Sequence, residues 1–317
     1  MKDRFDCDDV GELKEHVGCK VNVDVEDRSV TVTQPVLLQS FEDEFELNEG
    51  VFPRTPAIAG DVLARGEAKD QMPAPEQKRC RSGVGKSPHM MRWSRPECLN
   101  SVRELSRFMQ GAMSAHVKAM HRVMKCCVGT PNRGMHLKSN TTWDGKPDFE
   151  FTVSGRSDSD YAKDVERRRS VSGCSVFLND APVSSASRMQ GHVTLSVTEA
   201  ELTAATQRAQ DMLFVMRVIE SVGLKIKKPM MLEVDNKGAK DLTHNWSVGG
   251  RTRHVNVRGW FLRDLNEEGV IEVKWIAGDD NSADLFTKNL AGPLFEKHAR
   301  IYFGDDEHMK DEQHVGD

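Results

Sequence analysis

Apolar and polar residues alternate along VNVDVEDRSVTVTQ. Val21, Val23 and Val25 lie before a turn at Glu26-Asp27-Arg28, and Val30 and Val32 lie after it. Period-two alternation interrupted by a charged turn predicts a β-hairpin. Leu37, Leu38, Phe41 and Phe45 then share one side of a helix predicted over Gln34 to Phe45. From Pro53 to Pro88 the chain turns to Pro, Gly, Ala and charge without periodicity, the pattern of a long loop. Two stripes follow: Leu99, Val102, Leu105 and Met109, then Ala119, Met120, Val123 and Cys127. They predict helices over Pro96–Gln110 and Ala115–Val128, the second stopped by Gly129-Thr130-Pro131.

The pattern changes after Lys146-Pro147. Phe149, Phe151 and Val153 alternate up a strand predicted over Phe149–Ser157, which stops at Asp158, with Asp160 two residues on. Further strands are predicted over Ser170–Leu178 and Pro182–Ala186, joined by a turn at Asn179-Asp180. Ser196 or Thr198 caps a long helix that runs through Leu202, Ala205, Ala209, Leu213 and Met216 to Gly223, with Glu199 and Glu201 near its positive end. MMLEVD is a short strand ending at Asp235, and a short helix starts at Asn236. A helix over Val255–Asn266, a strand over Val270–Ile276 and a helix over Ser282–Leu290, carrying Asp284, complete the pattern. A run of strands followed by alternating helix and strand implies a mixed α/β (α+β) fold, one sheet with helices packed on it. The expected division is a hairpin-plus-helices region over 1–147 with a loop at 49–90, a sheet domain over 148–304 and a polar, disordered tail over 305–317.

Composition narrows the function classes. The 317 residues are 38% hydrophobic and 29% charged, which describes a globular protein with a polar surface. No apolar run is long enough to span a bilayer, and the first residues lack a signal-peptide core, so a cytoplasmic or nuclear setting without membrane is expected. Seven cysteines without a CxxC pair or zinc spacing fit a reducing compartment. The formal charge of −5 does not by itself announce a nucleic-acid partner; basic segments such as 167–169, 225–228 and 251–254 would have to supply polyanion contacts. SGVGKS is not a phosphate-binding loop, because that motif needs Gly where Cys80 stands and a preceding apolar strand.

What remains is a constellation of acids. Asp158 and Asp235 end strands, Glu201 lies in the first turns of the long helix, and Asp284 starts a later one. A single such acid is commonly a cap or a solvated end residue. If the strands ending at Asp158 and Asp235 are neighbours, all four converge on one sheet edge. That donor set suits hydrolysis by two Mg2+ ions about 3.5–4 Å apart, with Mn2+ as a substitute. The order Asp-Glu-Asp-Asp differs from the Asp-Asp-Glu of integrase-type nucleases.

The blocks SDSDYAKD, RRRSVSGCSVFL, APVSSASRMQ, TLSVTEAEL, VDNKGA, RTRHVNVRGWFLRD and DDNSADLFTK resemble the RNase H domain of copia-type retrotransposon polyproteins. Upstream, DVGELKEHVG, VTVTQPVLLQSF, WSRPECLNSVRELSRF and HVKAMHRVMKCCVGTPNRGMHL resemble the end of the same polyprotein's reverse transcriptase, after its palm. The resemblance implies an RNase H-like five-stranded mixed sheet flanked by helices and cleavage of RNA in an RNA–DNA hybrid. It puts the catalytic, metal-holding acids on Asp158, Glu201, Asp235 and Asp284. It implies hybrid contacts from Ser159, Asn236, Arg251 and Arg253, and partnership with the upstream palm and fingers of the parent polyprotein. It further implies no DNA synthesis by this stretch, since the polymerase's Tyr-x-Asp-Asp turn would precede residue 1. Three departures stand out: Arg156 replaces an aromatic in the first strand, Lys163 a glycine, and Gly259-Trp260 an aromatic-His pair. A non-catalytic nucleic-acid-binding fragment of a retroelement is the competing class.

Overall fold

The computed structural model describes residues 11–47, 49–146, 148–244 and 253–304, with only the backbone described at 253–256. Strands β1 (Glu15–His16), β2 (Cys19–Asp24) and β3 (Ser29–Thr33) contain the expected hairpin, and helix α1 (Pro35–Phe45) follows. The expected loop over 49–90 is helical in its second part, as α2 (Ala74–Trp93). Cys80, Gly83, Val84, Ser87 and Met90 form its buried side. Small residues make up much of that stripe, so counting large apolar side chains does not reveal it. Gly83 has to be small, because a β-carbon there would lie 2.5 Å from Met120 Sδ and 2.6 Å from Met124 Cε. SGVGKS lies within this helix. Helices α3 (Leu99–Ser106) and α4 (Ser114–Val128) complete the first core, with Phe41, Phe45, Met90, Met120 and Met124 at its centre. Strand β4 (Met135–Lys138) then pairs with β3, giving an antiparallel sheet in the order β1-β2-β3-β4.

The second half begins with β5 (Glu150–Phe151), β6 (Val153–Asp160), β7 (Val171–Leu178) and β8 (Ala181–Met189). The turn between β7 and β8 places Asn179 and Asp180 at φ 46° and 66°, the left-handed pair that a two-residue hairpin loop demands. Helix α5 (Val197–Ser221) crosses the sheet, and β9 (Lys225–Ile226), β10 (Met230–Val234), α6 (Lys237–Leu242), α7 (Arg253–Glu267), β11 (Ile271–Trp275) and α8 (Gly292–Phe303) follow. Ser282–Phe286 is a short 3-10 turn rather than the helix expected to Leu290. The main sheet has five strands in the order β11-β10-β6-β7-β8. It is mixed: β6, β10 and β11 run parallel, while β7 is antiparallel to both β6 and β8. The expected tail over 305–317 lies outside the described residues.

Alternation along β10 and β11 turns Met230, Leu232, Val234, Ile271 and Val273 into the core shared with α5. Gly155 lets α5 approach β6, since an added β-carbon would meet Met212 Sδ at 2.7 Å. A third apolar cluster joins the two halves of the chain: Leu99 of α3 packs with Phe177 of β7, with Leu285 and Phe286, and with Phe295 and Tyr302 of α8. Arg95, fully buried, donates from Nε to Glu97 Oε1 at 2.6 Å and from its terminal nitrogens to the Cys127 and Thr130 carbonyls and the Thr130 hydroxyl. Arg133 pairs with Glu296 of α8 at 2.9 Å across the same junction.

Gly173 of β7 lies opposite Asp158 in the ladder. A β-carbon at Gly173 would lie 2.6 Å from Thr287 Cγ2 and 2.7 Å from the Ala283 carbonyl oxygen, so glycine is what lets the 282–287 segment lie on the sheet. Gly173→Ala is expected to lower stability in urea unfolding by about 1–3 kcal/mol through overpacking. Gly191→Ala, where an added methyl meets nothing within 4 Å, is expected to change it little.

Candidate metal centre

Because β6 and β10 are parallel neighbours, their chain directions deliver both carboxyl ends to the same edge of the sheet. Their pairing ends at Ser157 opposite Val234, and the next residue on each strand is an aspartate, Asp158 and Asp235. Asp284 arrives from the far end of the chain on the 3-10 turn after β11. That turn is tied down by Asn281, which is fully buried, donates from Nδ2 to the Ser157 carbonyl at 2.9 Å, and caps the turn by accepting from the Ala283 N–H at 3.2 Å. One carboxylate oxygen from each of Asp158, Asp235 and Asp284 lies within 4.8 Å of the other two. Glu201, on the first turns of α5, accepts from the Ser159 N–H at 3.2 Å, and its Oε2 is buried without a hydrogen-bond partner.

Like charges gathered in a low-polarity setting resist ionisation. Glu201 is held well above the usual carboxylate range by burial and then by Asp158 and Asp235. Asp235 is raised by burial and by Asp158. Asp284 is pushed up to about 7, by burial first and the Asp158 charge second, with Lys288 partly opposing both. Lys288 Nζ lies 2.7 Å from Asp284 Oδ1 and 3.2 Å from Asp158 Oδ1. The Thr287 hydroxyl donates to the other oxygen of Asp158.

A cluster of hard oxygen donors, short of positive charge and with an orphaned buried carboxylate oxygen, fits a hard divalent cation. Thiol and imidazole donors are missing from the group of three.

The four acids named from sequence therefore lie at one edge, three within ligand distance of each other and Glu201 beside them. The residues expected to touch a hybrid are placed differently. The Ser159 side chain is buried against the site, and Asn236 Oδ1 caps α6 by accepting from the Ala239 N–H at 2.8 Å. The side chains of Arg251 and Arg253 lie outside the described residues.

Sequence reasoning missed Asn281, Thr287, Lys288 and Trp275. The first three lie in DDNSADLFTK, and Lys288 four residues after Asp284 has the spacing at which opposite charges meet on a helical turn. Trp275, half exposed, donates from its indole N–H to the Asp235 carbonyl at 3.0 Å and carries the Lys237 ammonium over its ring at 4.8 Å. A cavity of about 560 Å³ bounded by α3, α4 and residues 57–64 includes Asn289 in its wall but none of the four acids.

Arg156, the charge that stands in β6 where the resemblance has an aromatic, has both a partner and an exit. Its Nε lies 2.8 Å from Glu233 Oε2 on the neighbouring strand, it also donates to the Ser282 hydroxyl, and its side chain is 26% exposed. Lys163 pairs with Asp160 at 2.9 Å.

Comparison with known proteins finds relatives that this chain matches over part of their length. The chain is 29% identical over 217 residues to the retrovirus-related Pol polyprotein from transposon RE1 of Arabidopsis thaliana, covering 68% of this chain and 14% of that one. It is 25% identical over 299 residues to the corresponding polyprotein from transposon TNT 1-94 of Nicotiana tabacum, covering 92% and 22%. These relatives are named as retrovirus-related Pol polyproteins from plant transposons. The chain spans 14–22% of the length of these polyproteins. A 130-residue stretch is also 34% identical to secreted RxLR effector protein 161 of Plasmopara viticola, covering 41% of this chain and 86% of that protein. Among solved structures, the chain is similar to LC11-RNase H1 from compost at 13% identity, over 43% of this chain and 92% of that one. The TM-score of 0.34 is too low to carry weight. No protein-family profile matches.

The raised carboxyls have a stability consequence. A carboxyl whose folded-state pKa exceeds its unfolded value of about 3.9 keeps a proton that the unfolded chain has released, so folding stability falls as pH rises through that window. For Asp284 the window runs from about 4 to about 7. In chelator, the wild-type melting temperature is expected to fall between pH 5 and pH 7.5 more steeply than that of Asp284→Asn. Parallel slopes would show that Asp284 is not held protonated.

Proposed function

We propose that this chain contains the ribonuclease H portion of a retrotransposon Pol polyprotein, a divalent-metal-dependent endoribonuclease that cleaves the RNA strand of RNA–DNA hybrids. The observation that carries the reading is the meeting of Asp158, Asp235 and Asp284 oxygens within 4.8 Å at adjacent parallel strand ends, with Glu201 beside them. The order of these acids along the chain and their sequence blocks match the RNase H resemblance.

Asp158, Glu201, Asp235 and Asp284 would hold two Mg2+ ions, with Mn2+ as a substitute. When bound, the ions supply an activated water and stabilise the departing 3′ oxygen. The protein's own contribution is placement. The β6–β10 pairing fixes Asp158 beside Asp235, Asn281 anchors the turn that brings Asp284, and the Ser159 N–H orients Glu201. Phosphodiester hydrolysis then requires no side chain as nucleophile.

For the hybrid, Trp275 and Lys237 offer an aromatic face and a cation next to Asp235, suited to a sugar–phosphate backbone. Discrimination of RNA would come from 2′-hydroxyl contacts across the minor groove. The region before residue 147 would serve as the end of the reverse transcriptase, working with the palm and fingers of the parent polyprotein.

The purified chain is expected to cut a labelled RNA–DNA hybrid in Mg2+ and to leave the same RNA in an RNA duplex uncut. Asp158→Asn and Asp235→Asn are each expected to reduce cutting to background. Cutting that survives both changes would overturn the assignment. Hybrid binding without cutting by the wild-type chain would instead favour the non-catalytic binding fragment.

A further inference from the structure

Lys288 places a cation inside a carboxylate cluster that suits divalent cations. Its ammonium lies between Asp158 Oδ1 and Asp284 Oδ1, at 3.2 and 2.7 Å. Asp158 is 1% exposed, and the Thr287 hydroxyl takes its second oxygen. On this side of the cluster, protein donors from two consecutive residues already satisfy Asp158.

The other side differs. Among the described residues, no lysine, arginine or histidine nitrogen lies within 4.0 Å of the Asp235 or Glu201 carboxylate. Glu201 Oε2 has no hydrogen-bond partner. Among the described residues the ion pairs are therefore lopsided, with a cation on the Asp158–Asp284 edge and none on the Asp235–Glu201 edge.

Lysine suits a cation that has to leave. A compact ammonium on a four-carbon stem makes no bidentate lock on a carboxylate, unlike a guanidinium. The Lys288 side chain is 37% exposed, so it has a route from the cluster to solvent. Its backbone N–H donates to the Asp284 carbonyl at 2.9 Å, so the side chain can withdraw while the turn that carries Asp284 stays in place.

We propose that Lys288 is a resident counter-ion of the metal centre, holding the Asp158–Asp284 edge in the free protein and yielding it to a divalent cation. The proposal rests on the metal-dependent reading above and adds a consequence for loading: cations bind unequally. The Asp235–Glu201 edge accepts one directly, while binding on the Asp158–Asp284 edge competes with a tethered ammonium. Lys288 also keeps the acids from repelling one another when no divalent cation is bound, so its loss is felt by the fold only in that state.

The test is calorimetric titration of the full chain with Mg2+, and Mn2+ titration followed by electron paramagnetic resonance, both without nucleic acid. Lys288→Met keeps most of the stem and removes the charge, while Lys288→Arg keeps the charge. Removing a unit charge a few ångströms from the site, discounted for its partial exposure, is expected to tighten the weaker cation site about tenfold. Lys288→Arg is expected to bind no more tightly than wild type. In chelator, Lys288→Met is expected to melt below wild type, and saturating Mg2+ should erase that deficit. Lys288→Gln provides a second neutral variant should the methionine form fold poorly. Unchanged affinity and stoichiometry in the neutral variants would overturn the proposal, as would a melting deficit that Mg2+ leaves intact, the sign of a purely structural lysine. These readouts need no substrate. Tighter cation binding by Lys288→Met, together with a wild-type chain that cuts no hybrid, would uphold the counter-ion and sink the nuclease.

Discussion

The parallel pairing of β6 with β10 is the constraint on which the rest depends. Two strands running the same way must be joined by a crossover, and this chain uses β7, β8 and α5 to make it. The result is that the pairing of the two strands stops at one edge, with an aspartate next on each. Such a pair is unfavourable for the fold taken alone, because burial and mutual repulsion both resist ionisation. The structure accepts that cost at one edge of the sheet and surrounds it with donors: the Ser159 N–H, the Thr287 hydroxyl and the Lys288 ammonium. Destabilisation concentrated at a carboxylate cluster is a signature of sites that await a cation.

The same logic explains why Arg156 is tolerated one strand position from the core. A buried arginine without a partner would be severely destabilising. Cross-strand pairing puts Glu233 directly opposite Arg156, and that register is the one that also aligns Asp158 with Asp235. The ion pair and the acid pair are two readouts of a single alignment. The guanidinium also stacks over Phe177 at 5.6 Å, which links β6 to the cluster under α8.

Much of this was legible in the chain itself. Strand periodicity located β7, β10 and the first part of β6. The strand expected over Phe149–Ser157 breaks after Phe151, however, and β6 continues through Asp158 to Asp160, because β7 goes on pairing with it past the point where β10 stops. The Asn179-Asp180 turn was readable because only a few residue types tolerate two consecutive left-handed positions. What escaped reading has physical causes. Helix α2 hides its buried face behind small residues, Gly83 and Ser87, which carry little hydrophobic signal but are required for close packing. The 282–286 segment has helical sequence character, yet Asn281 and Thr287 tie it down as a short turn. Ser159 and Asn236 were expected to face a ligand, but a main-chain position says nothing of which way a side chain points. Asn236 caps α6 with its side-chain oxygen, while the Ser159 hydroxyl is buried without a hydrogen-bond partner.

The apolar cluster of Leu99, Phe177, Phe286 and Tyr302 carries a consequence of a different kind. It mortises the first half of the chain into the underside of the main sheet, reinforced by the Arg103 bond to Ser187 and the Asn100 bond to Asn289. Asn289 directly follows Lys288, so the joint reaches to within one residue of the acidic edge. The turn that carries Asp284 is thereby braced from the first half of the chain as well as from the sheet, so loosening of the joint would reach the acids through a single peptide bond.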